Sequence, residues 1–281
     1  MAHCIVPEAE AILDRAFPVL DKGFIRLVDY LGGDLRVVQA ARVSYGAGTK
    51  GYRNDQGLID YLLRNQHTSP FEQVVLTFHV KLPVFVARQW VRHRTARLNE
   101  LSGRYSVMAQ EFYVPSIEDV ALQSPDQKQG RAVEALDRDH AQHLVAAMVA
   151  AQEFAYKEYA ELIDQGISRE LARINLPLSL YTEIYWQMDL HNLFHFLKLR
   201  LSPHAQKEIR AYGAVLLDIT KRVAPRSCEA FERYMLEGVS FSREELAELR
   251  RRLGIPSPSA QEEILEEKAL ARFEAKLTAH P

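Results

Sequence analysis

The chain has 281 residues, 47% of them hydrophobic and 26% charged, an ordinary globular composition that excludes a disordered or fibrous protein. The formal net charge is −2, so no global basic field for nucleic acid exists and any anion site must be built locally. No apolar run approaches the ~20 residues needed to span a bilayer, and the acid-bearing N-terminus does not read as a signal peptide.

Residues 23–30 alternate well enough to predict a strand, followed by a turn at Leu31-Gly32-Gly33-Asp34. Residues 34–46 predict a helix capped by Asp34 and ended near Gly46, and a short helix follows around 58–64. Residues 72–83 are rich in Val, Leu, Thr and Phe and predict a strand that ends at Pro83. Residues 84–94 then turn helical, which would place Arg88 with Arg92, and Gln89 with His93, on shared faces. Residues 95–114 form a polar stretch long enough to suggest a functional loop, and 115–130 read as loop and turn. A long helix is predicted over 131–162 and a short one over 168–174, stopped by Pro177. Residues 179–189 are aromatic and predict a strand. Helices follow over 191–200 and 203–223.

The last residues differ in character. Ser242 and Glu245 form a capping box, with Leu246, Leu249 and Leu253 on one helical face. Residues 254–258 end that helix, and a final charged helix presents Leu270, Phe273 and Leu277. The pattern predicts an α/β (α+β) protein with many helices around a small sheet, and a helical C-terminal appendage.

The densest polar constellation is residues 89–105, from Gln89 to Tyr105, with Arg92, Arg94, Arg97, Arg104, His93, Glu100 and Ser102. Arginine offers a rigid fork of donors that fits phosphate, Gly103 lets backbone approach closely, and Ser102 adds a hydroxyl. These types in one stretch point to an anion site for a planar ligand. The competing reading is a solvated basic helix end, favoured by the helix dipole.

This stretch resembles the defining motif of the flavin-dependent thymidylate synthases, RHRxxSxNExSxRY. Arg92-His93-Arg94, Asn99-Glu100, Ser102 and Arg104-Tyr105 meet it, and Arg97 stands where the family usually has serine. His67-Thr68-Ser69-Pro70-Phe71-Glu72, Leu171 to Pro177, and Leu199-Arg200 with His204-Ala205-Gln206 resemble three further segments in the family's order. The resemblance covers roughly 20–235, leaving 1–19 as an N-terminal extension and 236–281 as the appendage. It implies a small, mostly antiparallel sheet surrounded by helices, and a homotetramer whose active sites are shared between subunits.

The roles that follow are those the resemblance implies. FAD is held by Arg92, His93 and Arg94, with Glu100, Ser69, Asp189, Leu190, His191 and His195; the family commonly has asparagine where Asp189 and His195 stand. The dUMP site is similar to one built from Gln89, Trp90, Val91, Arg92, Glu100, Leu101, Ser102, Gly103, Arg104, Arg173 and Arg200. Arg104 and Arg173 lie on the phosphate side. Arg200 is the catalytic candidate, set against the uracil to favour ionisation at N3 and stabilise negative charge on the ring. The implied reaction is reductive methylation of dUMP to dTMP, with 5,10-methylenetetrahydrofolate as carbon donor and FAD reduced by NADPH. No covalent enzyme nucleophile is used.

Other residues receive plainer readings. Cys4 and Cys228 are far apart without CxxC spacing, which reads as two free thiols in a reducing cytoplasm. His191 and His195 have the spacing of metal ligands, but the pattern lacks the glutamate of HExxH, so flavin contact or helix surface is preferred to zinc. His67 reads equally as a turn residue or a site wall, and His79 as a residue on a strand face. Trp90, Tyr181 and Trp186 read as core. Arg250-Arg251-Arg252 read as partners of Glu244, Glu245 and Glu248 rather than as an RNA site. A nucleic-acid module, a nicotinamide dehydrogenase (no GxGxxG is present) and a relative without turnover are the alternatives.

Overall fold

A computed structural model describes residues 4–44, 55–125, 128–255 and 266–278. The chain divides into two units, Met1–Cys228 and Glu229–Pro281. In chain order the elements are α1 (Pro7–Glu10), β1 (Ala16–Val19), β2 (Gly23–Leu31), α2 (Asp34–Arg42), α3 (Asp55–Arg64), β3 (Val75–Pro83), α4 (Val84–Trp90), β4 (Arg97–Glu100), β5 (Ala121–Gln123), β6 (Arg131–Ala135), α5 (Arg138–Asp164), α6 (Arg169–Ala172), β7 (Tyr181–Asp189), α7 (Leu190–Arg200), α8 (Lys207–Val223), α9 (Pro225–Phe231), α10 (Arg243–Arg252) and α11 (Glu267–Thr278).

The first unit is built on a sheet of order β1-β2-β3-β7-β4 in which every pairing is antiparallel. Strict alternation in β3 explains its place at the centre. Leu76, Phe78, Val80 and Leu82 are fully buried on one face. His79 points to the opposite face, where Arg26 and Glu183 bond its two ring nitrogens at 2.9 and 2.7 Å. The buried face meets Leu193, Phe194, Phe196 and Leu197 of α7 and an aromatic cluster of Trp90, Trp186 and Phe196, with ring centroids 4.7–5.2 Å apart. Each such side chain contributes roughly 1.5–3 kcal/mol by leaving water. This packing fixes the C-terminal ends of α4 and α7 side by side.

Several elements differ from expectation. Gly33, not Asp34, is the N-cap of α2, and the Asp34 carboxylate instead accepts from the backbone N–H groups of Arg226 and Ser227 at the start of α9, at 2.8 and 2.9 Å. The expected end of α2 at Gly46 lies outside the described residues. Residues 131–135 are strand rather than helix, because they pair with β5; α5 begins after Asp137, whose side chain accepts from His140 N. Pairing with the preceding strand has overridden a helix-compatible local sequence. Likewise α8 starts at Lys207, four residues later than the pattern suggests. The polar loop after residue 94 contains β4, whose four exposed residues carry no alternation to betray a strand.

The second unit holds α10 and α11. The capping box is present: Ser242 Oγ accepts from Glu245 N at 3.2 Å, and Glu245 accepts from Ser242 N at 2.7 Å. Gly254, at φ +68°, ends α10 in the left-handed conformation that glycine adopts without strain. Phe273 is fully buried, Leu270 half-buried and Leu277 exposed. Glu248 accepts from Arg251 and Arg252, which hold its carboxyl down to about 2.

Candidate active site

Three arginine-bearing regions form within the first unit. The first lies where α4 and α7 end. Arg200, the last residue of α7, donates from Nε to His93 Nε2 at 3.1 Å and from Nη2 to the Gln89 carbonyl at 3.0 Å. A cation at the carbonyl end of α4 also suits the helix dipole. His93 packs on Phe196 at 4.7 Å and near His195 at 5.8 Å. Burial, then Arg200 and His195, push its pKa down to about 4, so the imidazole is neutral, with Nε2 the acceptor and the proton on Nδ1. Burial also lowers Arg200, yet a guanidinium stays charged. The Gln89 amide donates to Gln206 Oε1.

The expected helical continuation through Arg94 does not occur. Helix α4 stops at Trp90, and His93 N donates to Trp90 O in the turn that follows. Arg92 and Arg94 therefore leave the helix and are exposed. Trp90 itself is fully buried, and Val91 is its exposed neighbour.

The second group is the loop after β4. Glu100 accepts from Thr182 Oγ1 at 2.9 Å, and Leu101 N donates to Glu183 O at 2.9 Å, which pins the loop to β7. Tyr105 N and Ser106 N both donate to Ser102 O at 3.0 Å, closing a tight turn. Gly103 is buried, and a Cβ there would stand 3.0 Å from Met108 Sδ and 3.1 Å from Arg173 Cδ. A side chain at this position would make Met108 and the Arg173 stem give way by a few tenths of an ångström. Arg104 pairs with Glu170 at 2.8 Å. Arg104 and Arg173 thus share one region, while among the described residues no hydrogen bond or ion pair joins it to the Arg200 group.

A third region contains two of the flavin candidates. Arg94 and Asp189 line a cavity of about 560 Å³ together with Glu72, Gln73, Thr95 and Arg97. Arg97, the departure from the family motif, adds a cation to its wall. Asp189 caps α7: its carboxylate accepts from the Asn192 backbone at 2.9 Å and the Asn192 amide at 2.8 Å. Ser69 lines a neighbouring cavity that shares Gln73 and includes His67, whose ring meets Tyr61 edge-on at 5.7 Å. Leu190 is fully buried, His191 half-buried and His195 exposed. Exposed arginines beside a polar cavity suit the pyrophosphate of a dinucleotide such as FAD, and the Asp189 oxygens are engaged within the protein.

Sequence reasoning missed a network beside the first group. Gln206 contacts Gln89, and Glu208 is bonded by Tyr113 and Arg131. The available signal was Gln206 itself, inside a segment matched by resemblance but given no role.

Comparison with known proteins follows the same division. The family described as Thymidylate synthase complementing protein matches residues 26–226, and Thymidylate synthase ThyX C-terminal domain matches 239–280. The flavin-dependent thymidylate synthase of Treponema denticola is 60% identical over 265 residues, covering 94% of this chain and 98% of that protein. That of Thermus thermophilus is 54% identical over 248 residues, 88% of each chain. Among solved structures, the UMP/dUMP methylase PolB of Streptomyces cacaoi bound with 5-Br dUMP superposes with a TM-score of 0.70 at 34% identity, covering 78% of this chain and 99% of that one. With matches that span most of its length, the chain belongs to the flavin-dependent thymidylate synthase family.

Proposed function

We propose that this protein methylates dUMP to dTMP, with 5,10-methylenetetrahydrofolate as carbon donor and NADPH as the reductant of its flavin, in the cytoplasm. The observation that carries the reading is Arg200: a permanently charged guanidinium, partly desolvated and held at two points by His93 and Gln89. Such a group stabilises negative charge on a pyrimidine ring and makes its C5 a better nucleophile. Arg104, Arg173 and Ser102 supply the donors for the nucleotide phosphate. Glu100 is tied to Thr182 and holds the loop that carries them.

Arg92, Arg94 and the N–H of His93 would hold FAD, with Ser69, Asp189, His191 and His195 and the backbone of Leu190 around it. When bound, FAD supplies the hydride that completes the methyl group. Cys4 and Cys228 are not joined in a disulfide, and neither is a member of the arginine groups described above.

A homotetramer with shared active sites belongs to the same reading. Its support is twofold. Among the described residues no hydrogen bond or ion pair joins the uracil-side and phosphate-side groups, and the 27-residue α5 leaves Met148 and Phe154 exposed, at 46% and 65%. The test is anaerobic reduction of the purified protein by NADPH with and without dUMP. Flavin absorbance that bleaches faster with dUMP supports both sites at once. Protein that cannot be loaded with FAD would refute the reading.

A further inference from the structure

Arg36 sits in the first turn of α2, half-buried, and among the described residues its side chain has neither a hydrogen bond nor an ion pair. Its Nε is sealed from water with no acceptor in reach. Arg26 also has an unpartnered Nε, but its Nη atoms reach His79 at 2.9 Å and Asp14 at 3.5 Å. Arg36 has no such relief. Packing holds its stem instead. Gly32 lies at φ +76°, and a Cβ added there would stand 2.7 Å from Arg36 Cβ and 3.0 Å from Cγ. Arg36 N donates to Gly33 O at 2.8 Å. The chain thus positions a guanidinium and gives it no anion. A buried donor without an acceptor destabilises the fold, a cost that a partner from outside the chain offsets.

Arg36 lines a cavity of about 1020 Å³. Among the described lining residues it is the only permanent charge, and no carboxylate stands there to repel an anion. Leu58, Tyr61 and Leu62 make much of the remaining wall apolar or aromatic. Gln73 lines both this cavity and the one that holds Arg94 and Asp189. A ligand suited to this wall has a planar apolar body, one concentrated negative charge and a route to the flavin region. A phosphate monoester on an adenosine meets that description. It carries about −1.5 to −2 charges and engages the guanidinium fork at two points. Folate ends instead in two separate carboxylates, for which this wall offers one cation.

We propose that Arg36 receives the 2′-phosphate of NADPH, and so sets a preference for NADPH over NADH as the reductant of the flavin. This rests on the reading of NADPH as that reductant. NADH has a hydroxyl where NADPH has this phosphate, and leaves the guanidinium unpaired.

The test is calorimetric titration of the FAD-loaded protein with adenosine 2′,5′-bisphosphate and with adenosine 5′-monophosphate, which lacks the 2′-phosphate. Wild type is expected to bind the bisphosphate more tightly. Arg36→Met keeps an unbranched stem against Gly32 and removes the charge, and should cut that affinity ratio roughly tenfold or more. In anaerobic flavin reduction, the advantage of NADPH over NADH in half-saturating concentration should shrink in parallel. Arg36→Gln carries the test if Arg36→Met does not fold. Equal weakening of both adenosine ligands marks a packing role and overturns the proposal. Loss of affinity for 5,10-methylenetetrahydrofolate with the ratio intact assigns the guanidinium to folate and overturns it too. Bisphosphate that binds only the FAD-free protein gives the cavity to the adenosine of the flavin, with the same consequence. If neither nicotinamide reduces the wild-type flavin, the reading of the reductant fails and the proposal falls with it. If NADPH reduces it and the variants keep the ratio, the proposal alone fails.

Discussion

Arg200 Nε donates to His93 Nε2 across 3.1 Å, and this bond requires a neutral imidazole. The RHR triplet and the catalytic candidate, more than a hundred positions apart in sequence, are therefore one unit. His93→Phe keeps a ring against Phe196 but removes the acceptor. Turnover should fall, on the scale of about 10²-fold for a misplaced catalytic group, with dUMP binding less affected. Steady-state kinetics with KM and kcat separated check this.

The same residue sets a pH dependence. Folded His93 titrates near about 4, against an ordinary 6.5. Between those values the unfolded chain binds a proton that the folded imidazole refuses, so this group makes stability rise with pH across that window and fall as pH drops toward 4. Melting temperatures of wild type and His93→Phe, compared across the window, should show the rise to be shallower in the variant.

Arg200→Ala should reduce turnover by roughly 10²–10³-fold while FAD stays bound. Arg200→Lys should not restore it, because one ammonium cannot span His93 Nε2 and the Gln89 carbonyl as the planar fork does. Unchanged turnover in Arg200→Ala would remove the role assigned to it.

At Gly103 the added methyl of an alanine would press on Met108 and on the Arg173 stem. Gly103→Ala should cost about 1–3 kcal/mol of stability and weaken dUMP by displacing Arg173. Ser102→Ala should weaken dUMP or slow turnover with no loss of stability. Mass spectrometry that trapped a Ser102–nucleotide adduct would contradict the mechanism.

Glu170 pairs with Arg104, the arginine proposed to meet the nucleotide phosphate. The pair is half-exposed, so its strength lies in the range of about 0–1 kcal/mol. Glu170→Gln should tighten dUMP binding a few-fold at low salt, and the gain should shrink as salt rises. Affinity that is unchanged at low salt would show that the ion pair does not limit phosphate entry.

In the second unit, Ser242→Ala removes one half of the capping box and should weaken α10 by about 0.5–2 kcal/mol. Hydrogen exchange of the amides in the first turn of α10 measures this directly.

Much of this was legible along the chain. The alternation in residues 76–82 marked the central strand, because one face of a sheet must be apolar. The capping box at Ser242 and Glu245 was readable because a cap is completed within one helical turn. The residue types from Arg92 to Tyr105 pointed to an anion site with a solvated basic helix end as the competing reading, and it was their match to the family motif that favoured the site. In contrast, β4 and β6 carry no local signal strong enough to reveal them; β4 exists because the distant β7 completes its hydrogen bonds, and β6 because the short preceding strand β5 does. The α4 boundary was misjudged for a related reason, since the chain after Trp90 must leave the helix to reach β4.

The sequence by itself determined the family, the central strands and the kinds of residue available for binding anions, all of which depend on residue type and short spacing. Only the tertiary structure decided which of those residues work together. Arg200 meets His93 and Gln89, Arg104 meets Glu170 and Arg173 meets Gly103, whereas the Gln89 amide meets Gln206. These contacts join positions far apart in the chain; burial of one sheet face against α4, α7 and α8 brings the Arg200 group together, and a second cluster of Met108, Tyr159 and Ala172 lies beside the Arg104 and Arg173 contacts, packing that no local pattern encodes.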